Sequence, residues 1–342
     1  MKKIILTVIV AIAIGALSVA GYFYFKLLKP NTGDFEQKAY LFIPTGGTFK
    51  NVIDSLEKNH LLKNINTFKW SADFMKYNDS NIKAGRYRIN KGMNNRAIIN
   101  MLKAGNQEPV RLTFNNIRIK SQFSGYVARK LEIDSVKFLA MLNDEQFVGK
   151  FGFTPETVFT MFIPNTYELF WNTNQQKFFS RMYDEYQKFW TSDRKKKAET
   201  LGLTPEKVCI LASIVYWETK RTDEMPMVAG VYLNRLHKGM KLEADPTVIF
   251  AEGDFSISRV RGKMMSNQSP YNTYVHTGLP PGPISMPSVT AIDAVLNPKK
   301  HNYIYFCAKD DFSGYHAFAE TMEQHMVNAR KFQKALNDRG IN

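Results

Sequence analysis

The hydrophobic positions divide the chain into stretches of different period. Met1-Lys2-Lys3 precedes an uncharged run from Ile4 to Phe25, closed by Lys26. At about 1.5 Å per helical residue that run spans a hydrocarbon core of roughly 30 Å. Residues 27–38 turn polar around Pro30 and Gly33 and read as a linker. Tyr40-Leu-Phe-Ile43 then predicts a short strand, and Thr48 caps a helix whose stripe is Val52, Ile53 and Leu56. The same order repeats: Ala84 to Ile89 as a strand, then a helix led by Asn94 with Ile98, Ile99 and Leu102. These elements predict a compact α+β module over residues 39–106.

Residues 107–203 read as a connecting region. It holds a strand at Val110–Phe114, helices through Leu142, and a loop with an extended lead-in at Phe162–Tyr167. A helix follows whose stripe is Phe178, Phe179, Met182, Tyr183, Tyr186 and Phe189, spaced for packing. The last domain is predicted over residues 204–342. Thr204-Pro205-Glu206 supplies a cap, a proline at the first helical position and an acid. The helix it starts is apolar around most of its circumference, which predicts a central position. A second helix is expected near Pro226 to Leu236, a buried strand at Asn302–Cys307 and a closing helix from about Thr321 to Leu336. Met264 to Ser288, rich in Pro, Gly and Ser, has no regular period; a segment of that length predicts an ordered, groove-lining loop. The fold class is α+β: a transmembrane helix, a small module and a larger mixed domain.

Charge and cysteine content narrow the setting. Lys and Arg total 46 against 31 Asp and Glu, for a net charge of +15, which favours an anionic partner. The basic residues are scattered, and no zinc finger or aromatic RNA-binding signature accompanies them, so nucleic acid is not the expected partner. The densest run, Arg194 to Lys197, reads as a solvated helix end or turn. Cys209 and Cys307 lack metal-type spacing and sit in apolar contexts, as buried thiols would. Lys2 and Lys3 place the segment after Lys26 outside the cytoplasm. A cleaved signal peptide ending near Ser18-Val-Ala20 is the alternative to a retained anchor, and it leaves the body of the protein on the same side.

The chemistry follows from one residue. No HExxH, GxSxG, GxxxxGK or GxGxxG motif is present, and six histidines are too dispersed for a ligand set. No metal or cofactor is expected. In Leu211–Arg221, LASIVYWETKR, helical spacing puts Glu218 beside Leu211 and Ile214 with Val215 close by. A carboxylate there must be paired, protonated or in use. Burial would raise its pKa and keep a proton available near neutral pH, as a general acid at a glycosidic bond requires. The alternative is a structural Glu satisfied by a buried Arg or by backbone amides.

Several blocks together resemble the endolytic murein transglycosylase family. They are Ala212-Ser-Ile-Val215 with Glu218-Thr219, Val228 to Leu236, Asp245-Pro-Thr-Val248, Ser269-Pro-Tyr-Asn-Thr-Tyr274, Gly278 to Pro283, Tyr315-His-Ala-Phe318 and Thr321 to His325. Upstream, Phe162-Ile-Pro-Asn-Thr-Tyr167 is similar to a Pro-Asp-Thr-Tyr element, with Asn165 in place of Asp. The 39–106 module resembles a LysM-like peptidoglycan-binding subdomain. The resemblance puts the catalytic glutamate at Glu218, on a central helix of a catalytic domain. One departure stands out: Tyr216-Trp217 occupies the place of an earlier acid in the family's Glu-Lys-Glu-Thr run, which removes any assistance from that carboxylate.

The implied reaction needs a single carboxylic acid. Glu218 protonates the leaving oxygen of the bond between N-acetylmuramic acid and N-acetylglucosamine, then deprotonates the muramyl C6 hydroxyl, which closes a 1,6-anhydro ring. Thr219, Asn272, Tyr271 and Tyr274 are expected to bind N-acetyl groups and sugar faces. Ser269 and Thr273 bind hydroxyls or hold the turn, Asp245 and Thr247 belong to the site or cap a helix, and His316 contacts glycan or braces the loop. Two rivals remain at this point. A muramidase-type hydrolase would use Asp245, Asp223 or Glu224 as a second carboxylate, and a non-catalytic scaffold would only bind peptidoglycan. Expected partners are glycan strands, the bacterial inner membrane through a single-pass anchor, and the glycan-polymerising penicillin-binding proteins, beside which nascent strands emerge.

Overall fold

The computed structural model describes residues 1–340 and divides them into two compact units. One comprises Met1–Leu112 with Ala128–Ile133 and Glu168–Asn174; the other comprises Thr113–Val127, Asp134–Tyr167 and Gln175 onward.

In the first unit, α1 (Lys2–Phe23) is apolar, exposed along its length, and long enough to cross a membrane. One π-helical turn, Tyr24–Leu28, continues it. The module that follows holds β1 (Lys38–Ile43), α2 (Phe49–Lys58), α3 (Ile65–Phe74), β2 (Gly85–Asn90), α4 (Asn95–Ala104) and the start of β3 (Val110–Phe114). β1 and β2 pair antiparallel with Leu41 opposite Tyr87 and Ile43 opposite Gly85. Alternation then turns Leu41, Ile43, Tyr87 and Ile89 to one face, where Val52, Leu56, Phe68, Ile98 and Leu102 bury against them. Thr48 caps α2 in a reciprocal box with Asn51, and Asn64 and Asn94 cap α3 and α4.

Residues 27–38, polar in pattern, are held down by hydrogen bonds. Asn31 donates its backbone N–H to the Met93 carbonyl, Gly33 donates to the Leu61 carbonyl, and the Thr32 hydroxyl accepts from Gly92. A Cβ on Gly33 would lie 2.0 Å from the His60 oxygen, so only glycine permits this approach.

The second unit contains α5 (Lys120–Ala128) up to Val127, α6 (Ser135–Asn143), α7 (Glu145–Gly149), β4 (Asn165–Leu169) up to Tyr167, α8 (Gln175–Phe189) and α9 (Ser192–Thr200). After these come α10 (Pro205–Glu218), α11 (Met225–His237), α12 (Asp245–Glu252), α13 (Val289–Leu296), β5 (Tyr305–Ala308), β6 (His316–Ala319) and α14 (Met322–Asp338). Its aromatic core joins Phe123 to Phe162 and Phe138 to Phe178 edge to face, with Phe123 tilted against Phe138, so the stripe of α8 packs as its spacing predicts. The run Arg194 to Lys197 lies inside α9, and Cys209 is buried while Cys307 is half-buried; both thiols are free. α10 is buried from Val208 to Val215 and packs against α11, α12 and α13. The strand expected as buried at Asn302–Cys307 is the half-buried β5, paired antiparallel with β6 and flanked by α14. Phe162–Tyr167, expected as a loop with an extended lead-in, instead ends in strand: its last three residues, Asn165 to Tyr167, begin β4. In the long loop, the short turn Gly262–Ser266 is the regular piece; hydrogen bonds between side chain and backbone order the remainder.

Candidate functional site

Glu218 is the last residue of α10, and Thr219 leaves the helix in an extended conformation. The helix end presents the negative pole of its dipole to this carboxylate, which disfavours ionisation. Burial acts more strongly and in the same direction, and the charge of Asp245 adds to it; together they push the Glu218 pKa from 4.5 up to about 7. Two groups oppose the rise: Tyr232, whose hydroxyl donates to Oε1 at 2.6 Å, and the Arg235 guanidinium. Glu218 therefore keeps its proton to a higher pH than an exposed glutamic acid does. Its outer edge stays half-buried, open to a pocket of about 510 Å³ whose walls include Tyr232, Asp245, Tyr274, Tyr305 and His316.

α11 builds the opposite wall, and its residues divide the work. Gly230 lets the Lys299–His301 segment lie against the helix: a Cβ there would meet His301 Nε2 at 2.5 Å and the Lys299 oxygen at 2.6 Å. Asn234 donates to the carbonyls of His301 and Tyr303. Arg235, buried, donates to the carbonyls of Ile304, Lys241 and Leu242 and pairs with Glu243 at 2.9 Å. These bonds hold the approach to β5 beside the pocket.

Asp245 begins α12, with Ala244 at the cap position, and its Oδ1 accepts from the Tyr274 hydroxyl at 2.7 Å. Burial, and then that bond, raise the Tyr274 pKa. His316 at the start of β6 is fixed twice by buried Glu224, through its backbone N–H and through Nδ1, each at 2.7 Å. Of the residues expected at the site, Glu218, Asp245, Tyr274 and His316 thus share one pocket.

The others brace it from behind. Thr247 and Thr273 are buried and joined hydroxyl to hydroxyl at 2.8 Å; Thr273 also accepts from the Ala244 N–H. Asn272 is fully buried, donating to the carbonyls of Met265 and Asn267 and accepting from the Tyr274 N–H. Thr219 accepts from Arg221 N–H, and Ser269 accepts from Tyr271 N–H, so both shape turns. Tyr271 faces a different pocket, with Arg118 and Lys120. Among the described residues no cluster of His, Cys, Asp and Glu could hold a metal ion.

Residues 41–331 match the model of the YceG-like family. The chain belongs to that family. This YceG-like chain is 29% identical over 345 residues to the protein of Bacillus subtilis (strain 168) named endolytic murein transglycosylase, across 94% of this chain and 93% of that relative. A Streptococcus pneumoniae (strain R6) protein of the same name is 27% identical across 96% of this chain; the match spans 64% of the pneumococcal protein. A crystal structure of a yceG-like protein from Listeria monocytogenes aligns with a TM-score of 0.57 and 26% identity, over 85% of this chain and 98% of that one.

The sequence signal for Tyr232 was ambiguous in this YceG-like chain. Val228, Val231, Tyr232 and Leu236 read as one apolar face, and nothing in that spacing says that the phenol meets a carboxylate fourteen residues earlier. Arg235 could have been found, because an arginine on the buried side of a helix must be satisfied by acceptors. Glu224 and Asp223, weighed as second carboxylates, are engaged with His316 and the Tyr315 hydroxyl.

Proposed function

We propose that this chain is a lytic transglycosylase of murein, cutting within glycan strands at the bond between N-acetylmuramic acid and N-acetylglucosamine. The observation that carries the reading is the Glu218 carboxyl at the end of α10, held by the Tyr232 hydroxyl and opening on a pocket it shares with Asp245 and the Arg235-paired Glu243, where burial raises its pKa. The names of the relatives, endolytic murein transglycosylases, support the enzyme class and the substrate.

In this reading the neutral form of Glu218 donates its proton to the glycosidic oxygen as the bond to C1 breaks. The resulting carboxylate, oriented by Tyr232, takes the proton from the C6 hydroxyl as that oxygen bonds C1. One proton leaves and one returns, so no water is consumed. Asp245 assists by holding the Glu218 proton in place, Tyr274 fixes Asp245, and His316 contacts the glycan. Thr219, Ser269, Asn272, Thr273 and Thr247 position the loop, and Tyr271 lies beyond the cleavage pocket.

The wider architecture fits the same task. We take residues 39–106 as a LysM-like glycan-binding module, 107–203 as the connecting region and 204–342 as the catalytic domain. The apolar N-terminal helix suits a single-pass anchor, and Lys2 and Lys3 favour a cytoplasmic N-terminus with the pocket outside. Anchoring brings the enzyme to newly made strands, beside penicillin-binding synthases. One observation favours a hydrolase instead: Asp245 lines the same pocket as Glu218.

The test incubates the full chain in detergent, and Glu218→Gln beside it, with purified peptidoglycan. Anhydro ends, one water lighter than reducing ends and released only by the unaltered chain, are expected in the fragment masses. Reducing ends would overturn the transglycosylase reading in favour of hydrolysis through Asp245.

A further inference from the structure

The cleavage pocket leaves unexplained a group of cations gathered on the outer side of the α10 terminus. Asn116 donates to the Tyr216 hydroxyl, and the Ile117 carbonyl accepts from Met286 N–H at 2.9 Å, so the irregular lead into α5 is pinned to α10 and to the proline-rich loop. This places the Arg118 guanidinium 3.5 Å from the Trp217 ring centre and 4.5 Å from that of Phe255. Lys220 sets its ammonium 4.0 Å from the same Trp217 ring and 3.9 Å from Tyr216. Trp217 itself is fixed by a 2.9 Å hydrogen bond from Nε1 to Ser285.

Neither cation forms an ion pair among the described residues. Burial disfavours the charge of each, and Arg118 further disfavours that of Lys220. Arg118 continues into a second pocket of about 460 Å³, which it lines with Lys120, Glu156, Phe250 and Tyr271. Lys120 donates to the Leu142 carbonyl and Asn143, and Glu156 offsets part of its charge. The group keeps an excess of positive charge that the fold does not neutralise. The aromatic faces attract both cations, yet burial and, for Lys220, the neighbouring guanidinium still disfavour the charges, and an incoming anion would offset that cost.

We propose that Arg118, Lys220 and Lys120 form a subsite for the carboxylates of the peptide stem carried by the muramyl residue being cleaved. This rests on the transglycosylase reading. The stem hangs from the lactyl group of the sugar whose C1 is attacked, so a stem site must lie close to the acid. Trp217 immediately precedes Glu218, about 3.8 Å away along the backbone. The guanidinium held 3.5 Å from the Trp217 ring centre is pre-organised to accept a carboxylate in its fork. Tyr216-Trp217, where the resembled family has an acid, is then a gain of aromatic support for cations that an acid would have quenched.

The test compares two uncrosslinked strands that differ only in their stems, with carboxylates free in one and converted to carboxamides in the other. The lactyl group is an amide in both. For the full chain in detergent, kcat/KM is expected to favour free carboxylates by about tenfold or more. The R118Q/K220Q double variant is expected to bring that ratio close to one, and R118K to restore part of it. Using a ratio cancels any loss of folded enzyme. An equal rate on both strands by the unaltered chain, or a ratio unchanged in the double variant, overturns the subsite.

A binding measurement separates the subsite from the reaction. Calorimetry with free stem pentapeptide, as acid and as amide, would use the E218Q chain with and without R118Q/K220Q. If neither strand is cut yet the acid peptide binds through Arg118 and Lys220, the transglycosylase reading falls and the carboxylate site stands. Equal binding of acid and amide overturns the site whatever the activity.

Discussion

A carboxyl whose pKa is pushed up to about 7 by its surroundings destabilises the folded protein once it ionises, and the cost can be measured. In the unfolded chain Glu218 ionises around its ordinary 4.5; in the folded protein it does so near 7. Each pKa unit is worth about 1.4 kcal/mol, so the ionised form opposes folding by roughly 3 kcal/mol at most. Because the folded value is the raised one, stability is fully present below pH 4.5. It declines as pH rises from there through about 7, where the loss is complete. Glu218→Gln keeps an oxygen to accept from Tyr232 and can never ionise.

The variant should therefore match the unaltered chain at pH 4.5 and surpass it at pH 8 by up to about 3 kcal/mol. For a unit of this size that is a rise of several degrees in Tm. Thermal unfolding of both chains, followed across that pH range in one detergent, measures the difference. A variant destabilised equally at both ends would mean that Glu218 is an ordinary structural partner. The reasoning from burial to catalysis would then fail at its first step.

Further outcomes follow from the partners of that carboxyl. Tyr232→Phe removes the donor that favours ionised Glu218, so the alkaline limb of the kcat/KM profile should move above about 7, by about one pH unit for a charge-assisted bond. Asp245→Asn removes a charge that disfavours ionisation, so the same limb should move below 7; a shift in the same direction for both variants would contradict the assignment. Gly230→Ala should cost about 1–3 kcal/mol by overpacking α11 against Lys299 and His301, read as a lower urea midpoint.

What could be read from the sequence depended on whether one element alone carried the signal. α10 was legible because apolarity around its whole girth demands burial, and a carboxylate among those positions then demands a reason. Thr48, Asn94 and Thr204 marked helix starts because capping needs only local geometry. Asn272, Thr273 and Thr247 were another matter. An amide and two hydroxyls suit a sugar, and they equally suit the carbonyls of a long loop; only the tertiary positions of Met265, Asn267 and Ala244 distinguish the two uses. The four-residue strand β6 and eight-residue α13 were too short to show a period. Tyr232 marks the limit most clearly, since its ring belongs to the core and its hydroxyl to the Glu218 carboxyl.

The junction after the apolar N-terminal helix yields a last prediction, one that composition would not have suggested. A polar stretch with a proline and a glycine reads as a tether, because side-chain polarity looks the same whether water or protein satisfies it. Here the carbonyl of Lys26, at the end of the apolar helix, accepts from both Ser71 and Asn95, and Asn95 in turn accepts from Asn31 at 2.8 Å. Asn31 also exchanges bonds with the backbone of Asn64. Tyr22 and Phe23 stack edge-on against Trp70. The helix end is thereby fixed to its module instead of swinging from it. Asn95→Ala leaves one Asn31 N–H and the Lys26 carbonyl short of a buried partner, at about 1–3 kcal/mol in total. Amide hydrogen exchange over residues 26–33 should accelerate by about tenfold or more in the variant, with the β1–β2 amides little changed. Exchange already fast there in the unaltered chain would show a tether after all, and would leave the buried asparagines of α4 and the junction without a purpose.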